Sequence, residues 1–168
     1  AVDTEAARGN IAPDAAERLL GSRHRRWRLA YRDVASATNR TTLIAAMLPP
    51  DTASTHTVIC LRTPLARSAQ HFLCGLFNSF VVNYLVRLRV TTHVTTAIVE
   101  RLPIPTLDEA ADAPEIIRIA EMLGRVLGRV RLKADPTYVA LALARLNALV
   151  AEMYQLDERE FAHVLATF

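Results

Sequence analysis

Cysteine, glycine and lysine are all scarce in this chain, and each scarcity removes a class of chemistry. Only Cys60 and Cys74 are present. Two cysteines so far apart make neither a disulfide framework nor a paired-cysteine metal site. Both read as small buried apolar residues, which suits a reducing cytoplasm. The five glycines stand at positions 9, 21, 75, 124 and 128. None lies in a glycine-rich turn between strand and helix, so no phosphate-cradling or dinucleotide loop is expected. The histidines at 24, 56, 71, 93 and 163 lack the spacing to cysteines or acids that gathers zinc ligands. No serine sits in a G-x-S-x-G elbow, and carboxylates are too sparse in the basic part of the chain for a magnesium-dependent nuclease centre. No catalytic residue, metal or cofactor is therefore expected in this chain. The longest apolar stretch, Phe80 to Leu88, is interrupted by Asn83 and Arg87 and falls far short of the ~20 residues that span a bilayer. The opening AVDTEAARGN lacks the basic-then-apolar layout of a secretory signal, and its alanine start reads as a piece of a longer protein.

What is present is an ordinary globular composition with an uneven charge. Apolar residues are 51% and charged residues 22% of 168, enough for a soluble fold of one domain or two small ones. Residues 1–17 carry one arginine against four acids; from Arg18 to Arg89 eleven arginines face only Asp33 and Asp51; from Val90 onward eight basic residues face eleven acids. The middle block is thus +9 between two blocks of −3, which together make the net +3. Of the twenty basic residues only Lys133 is lysine. A cationic middle suits a phosphate-rich partner, because neutralising phosphates and releasing counterions supplies much of nucleic-acid affinity.

Pattern divides the chain further. Residues 1–17 look like a lead-in. WRLAYRDVA, TTLIAAMLPP and THTVICLR are short, rich in β-branched or aromatic residues and closed by polar or proline-containing turns, the marks of three strands in one sheet. Phe72, Leu73, Leu76, Phe77, Phe80, Val81, Tyr84, Leu85 and Leu88 then recur at helical steps, predicting one amphipathic helix from Leu65 to Leu88 that packs on the sheet. RLRVTTHVTTAIVERLPIP follows, read as a Thr- and His-rich stretch and a short apolar strand ended by Pro103 and Pro105. From Pro114 to Val130 a near-heptad stripe predicts a second helix. Asp135-Pro136 supplies the cap and first-turn proline of a third, antiparallel to it. Asp157 and Glu160 resemble a capping box for a last helix. The expected fold is α+β: a small β-sheet on a long amphipathic helix, followed by a C-terminal helical hairpin or bundle, with a recognition domain over 18–107 and a helical scaffold over 108–168.

Three segments carry a family resemblance: YRDVASATNRTTLIAAMLPPDTASTHTVICLR, LFNSFVVNYLVRLRVTTHVTTAIVERLPIP and LVAEMYQLDEREFAHVLATF. In this order, from about Trp27 to the end, they resemble the C-terminal target-recognition region of type IIG restriction-modification methyltransferases and of related phage-defence adenine methyltransferases. The resemblance implies sequence-specific recognition of double-stranded DNA, downstream of a methyltransferase domain that binds S-adenosylmethionine and methylates adenine at N6. That domain's N-P-P-[YF] motif has no match here; the nearest string, Leu48-Pro49-Pro50-Asp51, lacks the asparagine and the aromatic residue. No methyl transfer is expected of this chain itself.

A recognition module needs cations for phosphates and side chains that read base edges, with arginine on guanine, asparagine on adenine and threonine more permissive. Two clusters qualify. The first is Arg32, Asn39, Arg40, Thr41 and Thr42; the second is Arg87, Arg89, Thr91, Thr92, His93, Thr95 and Thr96, with His56 and Arg62 as weaker candidates. A structural alternative stands beside each. Asn39 could adopt a left-handed turn while Asp33 pairs with Arg40, and Arg87 and Arg89 could simply complement a helix C-terminus. The competing function is a protein-interaction module, in which the helical hairpin docks onto a partner subunit or forms a homo-dimer.

Overall fold

The computed structural model describes residues 26–168 apart from 37, 109 and 128–134. The expected lead-in 1–17 and the end of the second predicted helix lie outside the described residues. The fold is α+β, and the three predicted strands are present: β1 (Arg28–Arg32), β2 (Ala45–Leu48) and β3 (Val58–Cys60). They form an antiparallel sheet in the order β2-β1-β3, with Tyr31 opposite both Ala45 and Ile59. Successive strand side chains point to opposite faces. Leu29, Ala30 and Tyr31 are nevertheless all buried, so β1 is covered on both faces.

The single helix predicted over Leu65–Leu88 is two helices, α1 (Arg67–Phe77) and α2 (Phe80–Arg87). Polar side chains that compete for backbone groups cause the break. Ser79 is extended and its hydroxyl accepts from the Val82 N–H, making it the cap of α2. Buried Asn83 donates to the Phe77 and Ser79 carbonyls, both at 2.9 Å, and satisfies the interrupted turn. Asn78 uses its amide on the outer edge of β2, accepting from Ala45 N–H at 3.1 Å and donating to Ala45 C=O at 2.9 Å. The apolar periodicity runs through the break because both helices bury the same side. It could not report that the axis stops.

The apolar strand expected before Pro103 is instead a one-turn helix, α3 (Thr96–Glu100). Thr95 caps it by accepting from the Ile98 N–H at 3.4 Å. β-branched content reports fit to a pleated surface and is not an intrinsic backbone preference, so the Thr95 cap prevails here.

The last three helices are α4 (Ala113–Leu127), α5 (Pro136–Met153) and α6 (Glu158–Leu165). Asp135 caps α5 with proline at its start, and Asp157 with Glu160 forms the predicted capping box on α6. Glu115 near the start of α4 meets Arg145 in the middle of α5 at 2.8 Å, the pairing of an antiparallel hairpin. This hairpin packs on α1 at Gly75, where an added Cβ would lie 2.8 Å from Ile116 Cγ2 and 3.5 Å from both Ala120 and Leu146. Glycine is needed there for close approach of three helices. Asn147 of α5 accepts the first free N–H of α2, from Phe80, at 2.6 Å. One buried apolar cluster runs from Leu29 and Leu43 through Phe72, Leu76 and Val82 to Ile116, Leu149 and Val150, crossing the boundary expected at 107/108.

Candidate nucleic-acid interface

Both candidate clusters meet at one end of the sheet. β1 leaves the sheet at Asp33, and its continuation forms an antiparallel bridge, Val34 opposite His93. Ala35 N–H donates to Thr92 C=O at 3.1 Å and Val94 N–H to Asp33 C=O at 2.8 Å. These bonds join the loop after β1 to the segment after α2, residues that lie some sixty positions apart in sequence. The segment before β3 arrives at the same end, since Asp33 N–H donates to Thr57 C=O at 2.9 Å. His56 belongs to this end, whereas Arg62, beyond the other end of β3, does not.

A polar platform supports the loop from below. Asn83 Oδ1 accepts from both Thr42 N–H and Leu43 N–H at 2.8 Å. Thr42 is fully buried, so this candidate faces the protein and serves to anchor the loop. Arg87 likewise turns inward. Its guanidinium donates to the carbonyls of Asn39, Arg40 and Thr167 and lies 4.1 Å over the Phe168 ring. It therefore clasps α2, the loop and residues 167–168 together.

The two structural alternatives are decided by geometry. Asp33 pairs with His93, its Oδ2 accepting from Nδ1–H at 3.0 Å, and not with Arg40. Among the described residues, positive φ at a non-glycine occurs only at Asp51 and Gln155, so Asn39 is not left-handed. With its amide oxygen turned inward, Asn39 accepts from Ser36 N–H and from Arg32 Nη2, each at 3.2 Å. Arg89 does complement its helix end, donating to Leu85 C=O at 2.8 Å.

What remains open to solvent is a compact polar rim. Arg32, Arg40, Arg89, Thr91, Thr92 and His93 are exposed, and Thr41 is half-buried. Among the described residues none of Arg32, Arg40 and Arg89 is ion-paired. The rim thus combines free positive charge with side chains that both donate and accept. Tyr31 lies just beneath it, its hydroxyl pushed up to about 12 by burial and then by the nearby Asp33 and Glu100 carboxylates. Such a phenol stays neutral and cannot serve as a base near neutrality.

Sequence reasoning missed Asn83 as part of this arrangement and gave Asp33 the partner Arg40 in place of His93. For Asn83 a signal existed, a polar residue interrupting an apolar helix face. For Asp33 none did, since its partner arrives only through the fold. Among the described residues no group of three or more His, Cys, Asp or Glu is placed to hold a metal ion. Nor is any described helix long and apolar enough to cross a membrane. No protein-family model, no curated protein and no solved structure matches the chain.

Proposed function

We propose that this chain recognises double-stranded DNA in a sequence-specific way, as the target-recognition module of a restriction-modification adenine-N6 methyltransferase. The observation that carries the reading is the Val34–His93 bridge, which, with the bonds from Arg87 to the Asn39 and Arg40 carbonyls, brings the loop carrying exposed Arg40 to the same end of the sheet as the exposed Arg89, Thr91, Thr92 and His93. Free arginines attract the phosphate backbone, and short polar side chains on a rigid support reach base edges. In this reading Arg32, Arg40 and Arg89 contact phosphates, Thr41, Thr91, Thr92 and His93 face the groove, and Asn39, Thr42 and Arg87 hold the loop. S-adenosylmethionine would be bound by the methyltransferase domain upstream, with the helices of 108–168 as a rigid support. Fluorescence titration with a random-sequence duplex at two salt concentrations tests this. Binding that weakens steeply with salt is expected; no binding at low salt would refute it.

One observation favours an additional docking role for the helical third. Tyr138 and Leu141 on the first half of α5 are 53% and 64% exposed, a large apolar presentation for a scaffold helix. Light scattering after size exclusion distinguishes a homo-dimer from a monomer, and a monomer leaves only docking to another domain or subunit.

A further inference from the structure

The Asp33–His93 pair carries more than a surface ion pair does. Asp33 is held at the end of β1 by two backbone hydrogen bonds, its N–H to Thr57 and its C=O from Val94, and its side chain is only 22% exposed. His93 is fixed at the backbone by the bridge to Val34, while its side chain is 53% exposed. An exposed pair of this kind adds little stability. Its consequence is chemical. An ionised carboxylate only accepts, so the hydrogen at 3.0 Å must sit on His93 Nδ1. In the neutral ring Nε2 is then an acceptor aimed away from the carboxylate, on the rim shared with Arg40, Thr91 and Thr92.

We infer that His93 Nε2 is a base-reading atom that selects an exocyclic amino group, adenine N6 or cytosine N4, with Asp33 as the positioning residue that sets the ring's tautomer and direction. Those amino groups are the only base-edge hydrogen-bond donors in the major groove. Guanine and thymine present acceptors there, and a fixed acceptor facing them leaves both groups unpaired. The assignment rests on the DNA reading proposed above.

The test selects bound duplexes from a pool with randomised positions, using the full chain at mildly alkaline pH. In the selected set at least one position should show a base preference that depends on His93, with the amino-bearing base of the pair on one fixed strand. His93→Ala should lose about tenfold discrimination at that position, the usual scale for one mismatched pair, with random-duplex affinity retained. Asp33→Asn should shrink the same preference while leaving the other positions as they are. A second readout needs no DNA: ¹⁵N NMR of the histidine rings, with His93 assigned by His93→Ala, should show the Nδ1–H tautomer. Selection unchanged by His93→Ala, or an Nε2–H tautomer at His93, overturns the inference while duplex binding stands. No duplex binding at low salt overturns the inference together with the reading beneath it.

Discussion

Arginine serves opposite purposes at the two ends of this molecule. In the helical third, Arg118 and Arg145 both meet Glu115, and Arg125 meets Glu121. At the sheet end Arg40 has no acidic partner among the described residues, and Arg87 turns inward to gather backbone carbonyls. The described arginines of α4 and α5 carry acidic partners, while Arg32, Arg40 and Arg89 carry none among the described residues. Polar residues differ in the same way. Asn147 ties helix to helix, whereas Asn83 ties a helix to the loop that displays the rim. The cationic block is therefore a supported surface: its loop rests on Asn83 and Arg87.

The strongest challenge to that contrast is removal of the support. Asn83→Ala removes side-chain bonds to four buried backbone groups, of which Ser79 C=O keeps the residue-83 N–H, and should lower unfolding stability by about 3 kcal/mol, measured by urea denaturation. A cost below about 1 kcal/mol, the size of a single ordinary hydrogen bond, would mean that the loop stands without its platform. A parallel change in the helical region is Gly75→Ala. Its methyl would collide with Ile116, with an expected cost of about 2 kcal/mol. Ile116→Ala in the same chain should then cost less than it does alone, and additivity would disprove the close approach.

Removal of a single arginine charge gives a smaller and more selective effect. Arg40→Ala and Arg89→Ala should each weaken duplex binding and reduce the salt slope by about one, with stability changed by less than about 0.5 kcal/mol. Arg118→Ala and Arg125→Ala should leave the binding isotherm unmoved. Equal losses from all four would make the rim no different from the rest of the surface.

The smallest effect is one of pH and belongs to the join between the regions. His71 on α1 is held below the ordinary imidazole range, first by burial and also by Arg67 and Arg125, with Glu121 opposing them. The folded state therefore binds a proton less readily than the unfolded chain. Stability is unaffected above the unfolded value of about 6.5 and falls as pH drops below it. Thermal melts of the wild type and His71→Gln, compared between neutral and mildly acid pH, should show a smaller acid loss in the variant.

Much of the architecture was legible before any coordinate. The three strands, the Asp135-Pro136 helix start and the Asp157/Glu160 box are each written in a few adjacent residues, even though β3 finds its partner in β1 across the intervening β2 of the sequence. The single long helix and the strand before Pro103 were misread for related reasons. Hydrophobic periodicity records which side is buried and β-branching records stiffness, and neither records where a side chain will take over a backbone hydrogen bond. Ser79, Asn83 and Thr95 do so. Within the site, the two clusters were visible as residue types, but their roles divided only in three dimensions. Thr42 and Arg87 turned inward, while Arg40, Thr91, Thr92 and His93 stayed outside.

The α+β class and the Asp135 and Asp157 helix caps follow from residues within about one helical turn of each other, and the concentration of arginine in the first half of the chain is a matter of composition alone. That Asp33 meets His93 and not Arg40, that Asn83 carries the loop from Thr42, and that the two clusters come to one end of the sheet all arise in the folded chain. Those contacts join residues forty to sixty positions apart, and a pairing at such separation exists only once a continuous core holds the sheet and helices in register.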